Sequence, residues 1–282
     1  VAGRARGVTA RLGSGRRLRV KADAVVLAGG TLMTPLILRE AGLGGSSPAL
    51  GKNLSIHPVS KTMALFDEAV DMSRGIPQGY SIDDLEHEGI MFEGGSVPLE
   101  ILAVSVPWVG RRFVELMERY RNLALFGFLI EDTSRGEVRP GPRGSPLITY
   151  NLNRRDAQRM QRATAMLCEV FLAAGATRVY PLVPGMEELT TLAEVRQLRE
   201  MTLAPSAFDI SAYHPLGTCR MGTDPDESVV GPDFETHEVE RLFIADGSVV
   251  PSALGVNPQM TIMAMALRAG ETIDRRLSGQ AS

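Results

Sequence analysis

The tightest constraint on the fold lies near the start of the chain. The apolar run Ala24-Val25-Val26-Leu27 is cut off by Ala28-Gly29-Gly30, and Thr34, Pro35, Leu36, Ile37, Leu38 and Ala41 then recur at helical spacing until Gly42. A short β-branched run closed by glycines reads as a buried strand, and the following three-to-four spacing reads as a helix with a glycine stop. Upstream, small polar and apolar residues alternate around Gly13-Ser14-Gly15 and lead through Leu18 and Val20, which predicts a β-hairpin feeding the strand. A strand, a glycine turn and a helix need a layer of further strands and helices to bury them, so the fold class is α/β or α+β.

The rest of the chain fits that class. Residues 50–63 form a crossing segment with glycine and proline, and residues 64–97 show no clear period. Leu123 to Ile130 and Leu147 to Leu152 read as two sheet strands joined by a polar connection rich in glycine, proline and arginine. Asp156 is the expected N-cap of a helix with apolar residues at Met160, Ala163, Leu167, Val170, Phe171 and Ala174, closed by Gly175. A further helix is expected from Leu192 to Leu203. The two ends of the chain are assigned to one unit and the middle to another.

Composition removes several classes of function. A 282-residue chain with 44% hydrophobic and 22% charged residues is globular material, and a net charge of −3 without a basic stripe argues against nucleic acid as a partner. The longest apolar runs fall far short of the roughly 20 residues that cross a bilayer, so no span is predicted. Cys168 and Cys219 stand in no metal-binding or disulfide spacing. No secretory signal is visible, and the expectation is either a cytoplasmic location or a missing leader.

Chemistry concentrates near the C-terminus. Tyr213-His214-Pro215-Leu216-Gly217-Thr218-Cys219-Arg220-Met221-Gly222 places a histidine before a glycine turn. Leu242-Phe243-Ile244-Ala245-Asp246-Gly247-Ser248 is an apolar strand ending in an acid and a glycine. In Gly255-Val256-Asn257-Pro258-Gln259-Met260-Thr261-Ile262, Asn257 stands where an N-cap belongs and Pro258 where the first helical residue belongs. The apolar helix that follows, to about Arg276, is expected to present a buried N-terminus whose N–H groups stabilise negative charge. His57, His237, Cys219, Trp108 and the Phe126/Phe128 pair read as structural residues.

Taken in order, these three pieces resemble the C-terminal signature of the glucose-methanol-choline (GMC) oxidoreductases. Gly30 to Gly44 is similar to that family's second signature, with Ala41 where serine is usual, and Leu50 to Pro58 resembles the segment after it. The resemblance covers residues 20–58 and 122–276. It implies an FAD-binding, Rossmann-like domain built from residues 1–62 and 212–282, and an antiparallel-sheet substrate-binding domain at 63–211. It also implies an oxidoreductase acting on the CH–OH group of a small-molecule alcohol. His214 would take the hydroxyl proton, Asn257 would hydrogen-bond the substrate oxygen, and hydride would pass to flavin N5. Asp246 and Gly247 would contact the ribityl and diphosphate part of FAD, and Ala28, Gly29 and Thr31 its adenosine side. The helix start at Pro258, Gln259, Met260 and Thr261 would face the flavin N1 and C2=O. The Ala245 to Pro258 phrase looks closest to long-chain alcohol and sterol oxidases, which favours an apolar alcohol, with sugar, choline and aromatic alcohols left open.

One expected part is missing. No G-x-G-x-x-G occurs, and the nearest glycine cluster, Gly42, Gly44 and Gly45, follows a helix instead of a strand. The Rossmann-like domain is therefore expected to be incomplete, with an exposed apolar edge beside the Val25 to Leu27 strand. A truncated or wrongly started gene product is the favoured explanation. Half of a split enzyme, with another chain supplying the glycine segment, and a degenerate non-catalytic relative are the alternatives.

Overall fold

The computed structural model of the chain describes residues 3–43 and 47–279; Gly44 and Gly45 of the glycine cluster lie outside the described residues. The chain divides into two compact units. The first comprises Val1–Ile56, Ser134–Asn151 and Tyr213–Ser282, and the second His57–Thr133 and Leu152–Ala212.

In the first unit, the Val25–Leu27 strand pairs in parallel with the Leu242–Ile244 strand, Val25 beside Leu242 and Leu27 beside Ile244. Leu242, Phe243 and Ile244 are all buried, as the continuous apolar run of a parallel strand requires. Phe243 is fully buried and sits in a cluster with Leu50, Cys219 and Leu38, a burial that stabilises by roughly 2–3 kcal/mol. The Gly30–Glu40 helix follows the strand directly. The expected hairpin forms from Gly7–Arg11 and Arg17–Lys21 and is largely exposed.

Two expectations about this unit need correction. Residues 134–151 were assigned to the middle of the chain but pack with the first unit, because the Val138 N–H donates to the Gly51 carbonyl at 2.7 Å and Gly136 bridges to Leu54. Their strands, Glu137–Pro140 and Pro146–Thr149, pair with each other, so Leu123–Ile130 is not joined to Leu147–Leu152 in one sheet. The C-terminal helix, Gln259–Leu277, is also not buried at its start. Among its described residues only Ala269 is buried, while Met260 is 74% and Leu267 72% exposed.

The second unit holds a five-stranded antiparallel sheet in the order Arg178–Tyr180, Val59–Leu65, Leu123–Ile130, Ile90–Gly95, Ser81–Ile82. The Arg154–Ala173 helix begins at Asn153, whose side chain accepts from the Asp156 N–H at 2.8 Å. Asp156 is thus the third helical residue and not the cap. Its carboxylate turns back to the Thr133 N–H and hydroxyl at 2.9 and 2.8 Å. The next helix, Leu192–Glu200, opens with a capping box between Thr191 and Glu194 and ends three residues short of Leu203. No helix of the described residues is long and apolar enough to cross a membrane, and no group of His, Cys, Asp or Glu among them is placed to hold a metal ion.

Candidate active site

The predicted site residues of the first unit meet around the turn Asp246-Gly247. Asp246 ends the Leu242–Ile244 strand and caps a short 3-10 turn, its Oδ1 accepting from the Ser248 N–H at 2.8 Å. Its Oδ2 accepts from the Gly30 N–H at 2.9 Å and from the Thr34 hydroxyl at 2.6 Å. The Thr34 hydroxyl also accepts from the Gly29 N–H at 3.0 Å. One carboxylate therefore fastens the end of one strand to the start of the helix that follows the other, where an anion is also favoured by the helix dipole.

The His214 loop is laid against the same turn. The Gly217 N–H donates to the Gly247 carbonyl and the Cys219 N–H to the Ser248 carbonyl, at 3.2 and 2.9 Å. Leu216 and Ser55 exchange backbone bonds in an isolated antiparallel bridge. Gly217 has φ +88°, and a Cβ there would lie 2.6 Å from the Asn53 carbonyl oxygen, so the position requires glycine. A Cβ on Gly247 would meet Ile262, Thr31 and Leu216 within 3.2–3.3 Å. The absent side chain is what lets the first turn of the C-terminal helix, the Gly30–Glu40 helix and the His214 loop converge.

His214 itself is half-buried, and burial pushes its pKa below the ordinary histidine value. Burial thus favours the neutral ring, the form that can accept a proton. Tyr213 beside it is exposed. Asn257 is exposed, and Pro258, not Asn257, occupies the cap position. Pro258 is itself helical in conformation, and its carbonyl accepts from the Ile262 N–H at 2.9 Å, so the helix starts one residue later than expected. The N–H groups of Gln259, Met260 and Thr261 have no acceptor within the helix.

Two residues make contacts that the sequence did not announce. Thr31, expected to face the adenosine side of a cofactor, is buried and donates its hydroxyl to the Pro215 carbonyl at 2.6 Å. Asn53, which no motif marked, stands in the left-handed region at φ 61°. Its amide nitrogen donates to the Pro251 carbonyl at 3.1 Å, and its oxygen accepts from Arg135 Nε at 3.1 Å. The only sequence hint was its place in the Leu50 to Pro58 segment. His237 is structural, paired with the Ser228 hydroxyl at 2.9 Å. His57 is buried, with its backbone N–H on the Asp132 carboxylate.

Family models described as GMC oxidoreductase match the chain twice, the N-terminal one at residues 1–59 and the C-terminal one at 132–266. The chain belongs to the GMC oxidoreductase family. An uncharacterized GMC-type oxidoreductase of Mycobacterium tuberculosis (strain ATCC 25618 / H37Rv) is 34% identical over 279 residues, covering 99% of this chain and 44% of the relative. The long-chain-alcohol oxidase FAO4A of Arabidopsis thaliana is 29% identical over 279 residues, covering 89% of this chain and 37% of the relative. Among solved structures, a variant of the formate oxidase of Aspergillus oryzae RIB40, described by its effect on FAD modification, superposes with TM-score 0.68 at 16% identity. That likeness covers 98% of this chain and 58% of the other, and it shows the GMC fold. The chain thus spans about half the length, or less, of the curated relatives it matches.

The residues present fit part of an FAD site. Ala28 and Gly29 are exposed at the glycine turn, and Gly30, at φ +78°, has nothing within 4 Å of where a Cβ would stand, so the turn leaves room for a ligand. An ionised carboxylate offers about four acceptor positions. Protein donors take three on Asp246, leaving one acceptor position on Oδ1. Gly247 is buried and serves packing.

Proposed function

We propose that this chain carries the substrate-facing catalytic part of an FAD-dependent oxidoreductase acting on the CH–OH group of an alcohol. The observation that carries this reading is a half-buried histidine, His214, on a loop bonded directly to the Asp246-Gly247 turn, where burial favours its neutral form. His214 takes the hydroxyl proton as the C–H bond breaks. FAD, when bound, supplies at flavin N5 the acceptor for the hydride that leaves the same carbon. Asn257 donates a hydrogen bond to the substrate oxygen and keeps the carbon in line. Ala28, Gly29 and Asp246 would hold the cofactor. The first-turn N–H groups of Gln259, Met260 and Thr261 would stabilise negative charge near N1 and C2=O.

The G-x-G-x-x-G segment absent from residues 1–282 would come from a further polypeptide segment, supplied by an upstream chain in the split-enzyme reading. Two features support this. The Val25–Leu27 strand has a single partner strand among the described residues, with Val26 46% exposed. Met33 and Ile37 on the adjoining helix, and Met260, Met263 and Leu267 on the C-terminal helix, present apolar faces to solvent. A parallel strand followed by a glycine turn would cover the first of these faces. A non-catalytic subunit is disfavoured because His214 and Asn257 are both retained. We also propose a cytoplasmic location; the two buried free thiols, Cys168 and Cys219, are compatible with a reducing compartment.

The long-chain-alcohol oxidases among the relatives favour an apolar substrate. The test is anaerobic bleaching of the flavin-loaded protein by hexadecanol, cholesterol, glucose and benzyl alcohol. Fastest reduction by hexadecanol or cholesterol supports the reading, and fastest reduction by glucose rejects the apolar preference.

A further inference from the structure

Pro35 lies inside the Gly30–Glu40 helix, where proline has no N–H to give to the carbonyl four residues back. That carbonyl belongs to Thr31. It is satisfied from outside the helix, by the Thr218 hydroxyl at 2.6 Å. Thr31 returns a bond to the same loop, donating its own hydroxyl to the Pro215 carbonyl at 2.6 Å. Thr31 and Thr218 are 4% and 0% exposed, so water does not compete for either bond. The two bonds fall on either side of Leu216 and Gly217 and begin one residue after His214. Thr218 is held further by its carbonyl, which accepts from the Gly51 N–H at 2.8 Å. On the opposite side of the loop, Gly217 packs against Asn53.

From this geometry we infer that Thr31 and Thr218 form a reciprocal clamp, made available by Pro35, that positions the His214 loop against the glycine turn of the Gly30–Glu40 helix. The inference rests on the reading of His214 as the proton acceptor. Thr31 is a positioning residue in this account: its hydroxyl is turned to Pro215, and it acts on the reaction through the loop. The same helix start is tied to Asp246 through Gly30 and Thr34, so the turn that would face the cofactor and the loop that bears the base share one anchor.

The test compares Thr31→Val, which keeps the shape and removes the hydroxyl, with Thr31→Ser, which keeps the hydroxyl. Two readouts need no cofactor: hydrogen exchange of the backbone amides in 213–219, and the titration of the His214 ring, identified by its loss in His214→Asn. Thr31→Val is expected to speed exchange across the loop by about tenfold or more, to move the His214 titration up toward the ordinary value as the ring gains water, and to be substantially reversed by Thr31→Ser. In the flavin-loaded protein, the rate of reduction falls by about 10–100-fold with little change in KM, as a misplaced base predicts. Thr218→Val removes the other half of the clamp and is expected to give the same pattern. It also serves if Thr31→Val does not fold.

If both valine variants exchange and titrate like the unaltered protein, the clamp is wrong. If they loosen the loop while His214→Ala leaves reduction unchanged, the clamp stands and the base assignment fails.

Discussion

Replacing Asp246 with alanine tests whether one carboxylate joins the elements of the site. The side chain accepts three hydrogen bonds, from Gly30 N–H at 2.9 Å, Thr34 Oγ1 at 2.6 Å and Ser248 N–H at 2.8 Å. Bonds to a charged acceptor contribute roughly 1.5–3 kcal/mol each, so three at the lower bound amount to about 4.5 kcal/mol. Asp246 is only partly buried, and water can reach some of the donors once the carboxylate is gone. The expected destabilisation is therefore about 3 kcal/mol, or roughly 100-fold in the opening equilibrium. Asp246→Asn can keep an oxygen facing Gly30 and Thr34 but turns a donor toward the Ser248 N–H, and it should lose about half as much. Urea unfolding followed by circular dichroism gives the global figure, and hydrogen exchange at Gly30 and Ser248 gives the local one. A loss within about 0.5 kcal/mol for both variants would refute the account, because it would mean that the three bonds do not link the turn to the helix.

Gly217→Ala forces a Cβ to 2.6 Å from the Asn53 carbonyl oxygen at a φ of +88°, and should cost roughly 2–4 kcal/mol in thermal or urea unfolding and expose His214 to faster exchange. Because burial lowers the His214 pKa, its basic form persists to lower pH than in a free histidine, and the rise of kcat/KM with pH should have its inflection below about 6.5. The same shift predicts that stability falls as pH drops through about 6.5. There the unfolded chain takes up a proton that the folded ring refuses, and the decline levels off below the folded pKa; His214→Asn should remove that slope in unfolding curves measured from pH 5 to 8. Burial pushes both the Cys168 and the Cys219 thiols up to about 12, so thiol reagents at pH 8 should label neither in the folded protein and both in denaturant.

The parts of the site that were legible in the sequence carry their signals locally. The Val25–Leu27 strand, its glycine turn and the helix after it are marked by residues within one short stretch, and they form where expected. His214 before a glycine turn and Asp246 at a strand end were readable in the same way. What was not legible depends on contacts between distant residues. Asn153 and Asp156 can each cap a helix, and the choice is settled because Asp156 is drawn to Thr133, 23 residues upstream. Residues 134–151 carry nothing that announces Gly51 and Leu54 as their partners, since backbone bonds leave no trace in side-chain identity. Asn53 and Thr31 likewise acquire their roles only when the chain brings Pro251 and Pro215 to them. The exposed start of the C-terminal helix has a similar cause: its apolar residues promise a buried face, and the described residues cover only Ala269.

The measurement that tests the central claim most directly is the rate of anaerobic reduction, by a long-chain alcohol, of the flavin-loaded protein completed with the segment that supplies G-x-G-x-x-G, with residues 1–282 unaltered and carrying His214→Ala. The account predicts a rate lower by orders of magnitude in the variant, with the amount of bound flavin unchanged. An unaltered rate in His214→Ala would contradict it, and would move the proton acceptor away from the loop on which this reading depends.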